Sequence, residues 1–384
     1  MCIRDSLYPH ILRLSRPPAE RGFTDSEQAL AWLDAERANL VATVAHAAAH
    51  GPHPMAWQLA DGLRGYFANR VLVIDWLTSA QAALAAAEAD EEPQAMASAR
   101  ISLGLLHWRQ GYHHDAIDHY TAALTHARQA GWLEGQAAVL GNLGAAWTEL
   151  GETDTGIRHF TAALDLHRRT GRLVGQAAAL SNLGTTHLEL GRLPDAIEHL
   201  EQALDVYRRI GSRAGEAISR TNLGETFLQA GRFDDALPQL TRALSLHREA
   251  GNRGNEADTL ASLATLHLEA GRHAEASETA DAALTVARDC GHRLYEAVAL
   301  NALGLVHRVL GDRERALRHH QRARELAREV GNRYNETDAL IGLASVHRDL
   351  AQHDQAKAFA TEAVAAARAA GYRILEQRAL AQLG

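Results

Sequence analysis

The sequence predicts an all-α fold made of antiparallel helix pairs stacked one on the next, and three observations carry that prediction. First, a shift of forty residues superimposes Leu143, Leu183, Leu223, Leu263, Leu303 and Leu343, each followed by Gly or Ala. Second, the same shift aligns Gly131, Gly171, Gly211, Gly251, Gly291, Gly331 and Gly371. A second set at Gly111, Gly151, Gly191, Gly231, Gly271 and Gly311 halves each unit. Third, apolar residues within a unit recur at three- and four-residue spacings, which is the helical period.

The unit from Gly171 to Ile210 shows the design. Leu180, Leu183 and Leu190, with the small Ala177 and Gly184, line one helix. Ala196, Ile197, Leu200, Ala203, Leu204 and Tyr207 line a second, which begins just after Pro194, a residue tolerated in a helix's first turn. Two helices separated by a glycine stop make an antiparallel hairpin. One such hairpin cannot cover its own apolar stripe, so neighbours must stack and bury a core between them.

These residues resemble a known family. Leu140-x2-Leu143-Gly144-x2-Trp147, followed by Gly156-x3-Phe160-x2-Ala163, is similar to the tetratricopeptide repeat pattern W-x2-L-G-x2-Y with A-x3-F-x2-A. Ala116-x3-Tyr120-x2-Ala123 and Ala196-x3-Leu200-x2-Ala203 repeat its second half. The chain departs from the family in its forty-residue period and in lacking a proline at each unit's close. The longer period resembles the extended repeats of kinesin light chain and Pins-type scaffolds. The resemblance implies a right-handed superhelical solenoid whose concave face, made by the first helix of each pair, binds partners.

Composition narrows the function. The 39 basic and 47 acidic side chains leave a net charge of -8, which argues against nucleic acid as the main partner. Lys357 is the only lysine and has no glycine-rich loop before it, so the chain carries no P-loop nucleotide site. Cys2 and Cys290 are too few and too distant for a disulfide framework. No apolar run approaches the roughly 18 residues of a membrane span, and no signal peptide opens the chain. A cytoplasmic protein without a cofactor is expected.

In order along the chain, residues 1–24 read as a foreign leader, MCIRDS, and a proline-bearing linker. Residues 25–90 read as an N-terminal helical segment with a degenerate repeat, its first helix capped by Thr24 or Asp25 and striped by Trp32, Leu33, Leu40, Val41 and Val44. LYPH, the linker, ALAWLDAERANLVATV and AWQLADGLRGYF resemble the junction between ATPase and repeats in actinobacterial AfsR-like regulators of the STAND class. That resemblance implies an upstream ATPase and transcription-activating effector, with the repeats as sensor arm. Seven repeats fill 91–370. Residues 371–384 enter an eighth whose second helix is missing, so the chain is expected to be a fragment at both ends.

Several repeated residues have structural readings. The mid-helix glycines 104, 144, 184, 224 and 304 each cost about 0.5–1 kcal/mol against alanine, which close helix approach would offset. His107, His187, His267, His307 and His347 share a position with Trp147 and Phe227, so they are packing residues. His113-His114 and His319-His320 read as surface pairs. Arg213, Arg253, Arg293, Arg333 and Arg373 each precede a glutamate by three residues, a spacing at which the two can pair.

Asn142, Asn182 and Asn222 stand before the Leu-Gly pair of three consecutive units. In the Pins-type and kinesin light chain repeats that these resemble, asparagines here hold the main chain of a partner peptide. An amide offers a donor and an acceptor to a peptide unit, but local bonding within the hairpin would use the same groups. Helix register adds Ser181, Thr185, Arg220, Glu225 and Glu189 to the candidate groove, with Thr221, Thr148, Glu149, Arg308 and Arg348 nearby. No unique convergent arrangement of Ser, His, Cys or carboxylates stands out from the periodic background, so catalysis is not expected. The expected partner is a protein or peptide segment, such as the ATPase domain of a parent molecule, with no direct nucleic acid or membrane binding. A free-standing adaptor without an ATPase is the alternative.

Overall fold

In the computed structural model, Phe23 and residues 26–384 are described. The expected leader, linker and Thr24 or Asp25 cap lie outside the described residues, Phe23 apart. Eighteen helices and no strand occupy the described chain. They are α1 (Ser26–His50), α2 (His53–Arg70), α3 (Val73–Ala89), α4 (Pro93–Arg109), α5 (His113–Gln129), α6 (Leu133–Glu149), α7 (Thr153–Arg169), α8 (Leu173–Glu189) and α9 (Leu193–Arg209). The rest are α10 (Arg213–Gln229), α11 (Phe233–Glu249), α12 (Arg253–Glu269), α13 (His273–Asp289), α14 (Arg293–Val309), α15 (Arg313–Glu329), α16 (Arg333–Asp349), α17 (His353–Ala370) and α18 (Arg373–Leu380). From α4 on, the even-numbered helices are the first of each pair.

Each helix but the last, α18, ends where a residue turns left-handed. After α9, Gly211 sits at φ 69, its N–H bonds to Arg208 O at 3.1 Å, and the Ser212 N–H reaches back to Tyr207 O at 2.9 Å. This pair of bonds is a Schellman close, and it satisfies carbonyls that the helix leaves unpaired. Ala351 takes the same conformation at φ 57 without glycine's freedom.

The chain divides into two compact units. Among the described residues, one holds those up to 150 and 154–179, and the other holds 151–153 and 180–384. In the first, Tyr66, Phe67 and Trp76 anchor a core under α1–α4, and Ile101, Tyr120, Leu143 and Val139 anchor the next. In the second, α10, α12, α14, α16 and α18 pack in succession, the first four each backed by its hairpin partner. The start of α18 then returns to the loop between α8 and α9. A Cβ on Gly191 would lie 3.3 Å from Ile374 Cγ1, and one on Gly371 would lie 3.8 Å from Leu190 Cδ2. The first helices of this unit therefore enclose a common inner face.

Two expectations need correction. The glutamates in the first turn of these first helices each reach an arginine eight residues upstream. Arg248 Nε meets Glu256 Oε1 at 2.9 Å, and Arg208–Glu216, Arg288–Glu296, Arg328–Glu336 and Arg368–Glu376 repeat the contact. Arg213 instead spans the hairpin to Glu249 at 2.8 Å, and only Arg253 is seen to pair three residues on, with Glu256 at 2.7 Å. The turn explains this, because it folds the end of one helix against the start of the next. His320 is also no surface residue. It is 1% exposed, wedged between Gly304 and Gly342, with Nδ1 3.2 Å from Asn301 Oδ1. His107, His187 and His307 do pack, each stacked on a histidine of the following helix.

Candidate functional site: the inner face of the first helices

Polar contacts stitch successive first helices of the second unit together. Asn222 Nδ2 of α10 lies 3.4 Å from Thr185 Oγ1 of α8, and Ser262 Oγ of α12 donates to Glu225 Oε1 of α10 at 2.7 Å. Arg308 Nε of α14 meets Asp349 Oδ2 of α16 at 2.7 Å, and Arg348 of α16 donates to Ala381 O at 3.1 Å. These residues share one register on each helix, which is the enclosed side.

The eight candidate residues do not all share it. Asn182, Thr185, Glu189, Asn222 and Glu225 are half-buried on this side. Ser181 is fully buried, its Oγ 3.5 Å from Ser219 Oγ, because its register turns it between α8 and α10. Arg220 is buried and turned away from this side, donating to Glu216 of its own helix at 2.9 Å and to Gln239 of α11 at 2.6 Å. Asn142, in the first unit, is buried as well. None of these three opens to a partner in this arrangement: Ser181 and Arg220 sit one and two residues from the open row, whereas Asn142 shares the repeat position of Asn182 and Asn222 and is buried by its own surroundings in the first unit.

Sequence reasoning missed Asp258, Tyr334, Asp338 and Arg378. Asp338 and Arg378 pair at 2.8 Å. Burial pushes the Tyr334 phenol up, neighbouring Asp338 adds to it, and the fields of Glu189 and Glu225 also reach it across the face. Burial likewise raises the carboxyls of Glu225 and Asp258, Asp258 further through its neighbour Glu225. Both are only half-buried from solvent, yet the surrounding helices enclose them. The missed signal was available: the forty-residue shift aligns Ile218, Asp258, Val298, Asp338 and Arg378, a position whose chemistry changes at every repeat.

Among the described residues no three His, Cys, Asp or Glu side chains converge as metal ligands, and no helix is long and apolar enough to cross a membrane. A family model described as tetratricopeptide repeat matches residues 135–209, 211–289 and 295–369, more than half of the chain. The chain belongs to the tetratricopeptide repeat family. No curated protein matches the tetratricopeptide chain in sequence.

Solved structures share its fold. A Rap protein complexed with Competence and Sporulation Factor is similar at 15% identity and a TM-score of 0.61, over 92% of this chain and 99% of that one. The Rap conjugation gene regulator of plasmid pLS20, in complex with the Phr* peptide, is similar at 15% identity and a TM-score of 0.64, over 90% and 97%. A STAND protein with a tetratricopeptide repeat sensor, from Pyrococcus horikoshii, is similar at 15% identity and a TM-score of 0.59, over 93% of this chain but 53% of that one. At such identities the likeness is one of fold.

Proposed function

We propose that this tetratricopeptide chain is a non-catalytic interaction module that receives a peptide or a partner domain along the enclosed face of its first helices. The observation that carries the reading is the row of half-buried polar side chains there, Asn182, Thr185, Asn222 and Glu225, whose amides and hydroxyls match the donors and acceptors of a peptide backbone. A similar fold holds the Phr* peptide in the Rap regulator of pLS20, and another is complexed with Competence and Sporulation Factor.

The finer reading is that the chain serves as the sensor arm of a cytoplasmic STAND-type transcriptional regulator. Its array would restrain an ATPase domain until a partner binds, with differential affinity for the two states supplying the switch. The likeness to the sensor-bearing STAND protein and the AfsR-like wording of the N-terminal segment support it. A free-standing adaptor is the second reading, supported by similarity that spans nearly the whole of the Rap chains. A G-x4-G-K-[ST] motif upstream in the reading frame decides for the regulator.

The groove itself is tested by titrating a captured partner against Asn182→Ala and Asn222→Ala. Each change is expected to weaken binding about fivefold to tenfold, near the 1–1.5 kcal/mol of a hydrogen bond. Unchanged affinity in both variants refutes the assignment.

A further inference from the structure

Repeat arrays ordinarily hold each hairpin only to its neighbours. Most turns of this chain obey that rule. A Cβ added to Gly231, Gly271 or Gly311 inside the hairpins, or to Gly211, Gly251 or Gly331 between them, would meet nothing within 4 Å. Gly151, Gly191 and Gly371 break it. A Cβ on Gly151 would lie 2.8 Å from Ala369 O and 3.2 Å from Ala370 Cα, one on Gly191 3.3 Å from Ile374 Cγ1, and one on Gly371 3.4 Å from Thr153 Oγ1. The turn between α17 and α18 thus meets Gly151–Thr153 and the α8–α9 turn, all within the second unit.

Burial records the same meeting. Leu190 is 8% exposed, at the repeat position where Leu310 is 51% and Leu350 37% exposed. Ala370 is 2% exposed, whereas Ala130 and Ala250 at its repeat position are exposed. The five hairpins from α8 to α17 therefore complete a circuit that closes on itself. The closure is small and apolar. Leu190, Ala370 and Ile374 are its aliphatic side chains, whereas adjacent hairpins share whole helix faces such as that of Tyr295, Leu300 and Leu303. Stabilisation follows buried apolar area, so this join opens before the others. Glu189, of the enclosed row, immediately precedes Leu190, which puts the closure at the edge of that row.

We infer that the α17–α18 turn is a latch: closed, it completes a ring around the enclosed row of first helices, and its opening admits a partner to that row. The inference rests on the groove reading above and adds the regulation of that site. An open form populated at about 0.1–10% slows a bulky entrant by at least about tenfold and leaves a small one unaffected.

The test needs no partner. In a single-thiol parent carrying Cys2→Ser, Cys290→Ser and Asn222→Cys, labelling of the enclosed thiol by N-ethylmaleimide is compared with labelling by a polyethylene glycol maleimide. Leu190→Gln with Ile374→Glu unlatches the turn using residues that other repeats carry at those positions, Gln110 and Glu134. An oxidised Gly191→Cys, Ile374→Cys pair locks it, and Ala351, at the Gly191 position with φ 57, shows that a side chain fits that turn. The glycol reagent is expected to react at least about tenfold faster with the unlatched chain than with the parent, and slowest with the locked chain, while N-ethylmaleimide reacts alike with all three. If the unlatched chain loses its helical circular dichroism, the locked chain against the parent decides alone. Equal glycol rates in the folded chains, or a cysteine pair that fails to oxidise, overturn the latch. Neither result touches the groove reading, which the Asn182→Ala and Asn222→Ala titrations test separately.

Discussion

Gly184 and Leu200 occupy a single packing site, for a Cβ on Gly184 would stand 2.5 Å from Leu200 Cγ. The relation recurs sixteen residues apart in other hairpins. Gly104 faces Tyr120, Gly144 faces Phe160, Gly224 faces Leu240 and Gly304 faces His320, each with a large side chain inside the space a Cβ would need. Where the first helix has alanine instead, at Ala264 and Ala344, the equivalent second-helix residues are Ala280 and Ala360, all four fully buried. A large second-helix side chain is thus seated where the first helix has no Cβ, and a small one where it has, as close packing demands.

Substituting Gly184→Leu is therefore expected to destabilise the chain by about 1–3 kcal/mol through overpacking, seen as a lower melting temperature by circular dichroism. Leu200→Ala alone should cost about 2–5 kcal/mol. The combination Gly184→Ala, Leu200→Ala recreates the Ala264–Ala280 pair and should cost less than the sum of its two single changes. A melting curve unmoved by Gly184→Leu would remove the close-approach explanation.

Glu256 takes two arginines at once, Arg248 at 2.9 Å and Arg253 at 2.7 Å, while its own side chain is 4% exposed. Removing its charge with Glu256→Gln is expected to destabilise by about 2 kcal/mol in chemical denaturation. Arg213, 72% exposed and paired to Glu249, is the contrast: Arg213→Ala should stay within about 1 kcal/mol of the parent. Similar losses in the two variants would show that burial is not what separates them.

Burial lowers His320 to about 4, against field contributions from Asp338, which opposes the shift, and from His319, Arg308 and Arg378, which add to it. His167 and His247, also buried, are held down to about 4 for the same first reason. A histidine whose folded pKa is depressed contributes stability that is fully present above the unfolded value of about 6.5 and is lost as pH falls towards the folded one. The melting temperature is thus expected to fall between pH 6.5 and 4 through these groups. His320→Leu, which copies Leu200 and Leu240 of other repeats, should flatten part of that slope. An unchanged slope would show that His320 takes no part in it.

How much of this was legible in the sequence differs between levels. The helices, their pairing and the glycine closes follow from local rules, since a three- to four-residue apolar spacing and a left-handed stop act within one turn of chain. The mid-helix glycines announced close approach for the same reason. The candidate groove was legible only in part. Asn182, Thr185, Asn222, Glu189 and Glu225 lie on the enclosed side, whereas Ser181 is buried between first helices, Arg220 is buried towards the second helices and Asn142 is buried in the first unit. One residue of helix is a rotation of about 100°, which separates Ser181 and Arg220 from the row of Asn182 and Asn222, whereas Asn142 shares their repeat position and differs only in what packs around it.

By itself the sequence determined the all-α class, the repeat and its family, because periodicity is a property of the chain. Only the tertiary structure decided which row faces inward, that Asp258 lies within the field of Glu225, and that α18 returns to Gly191. Those relations join residues tens to nearly two hundred positions apart, and packing between helices rather than spacing along them sets such contacts.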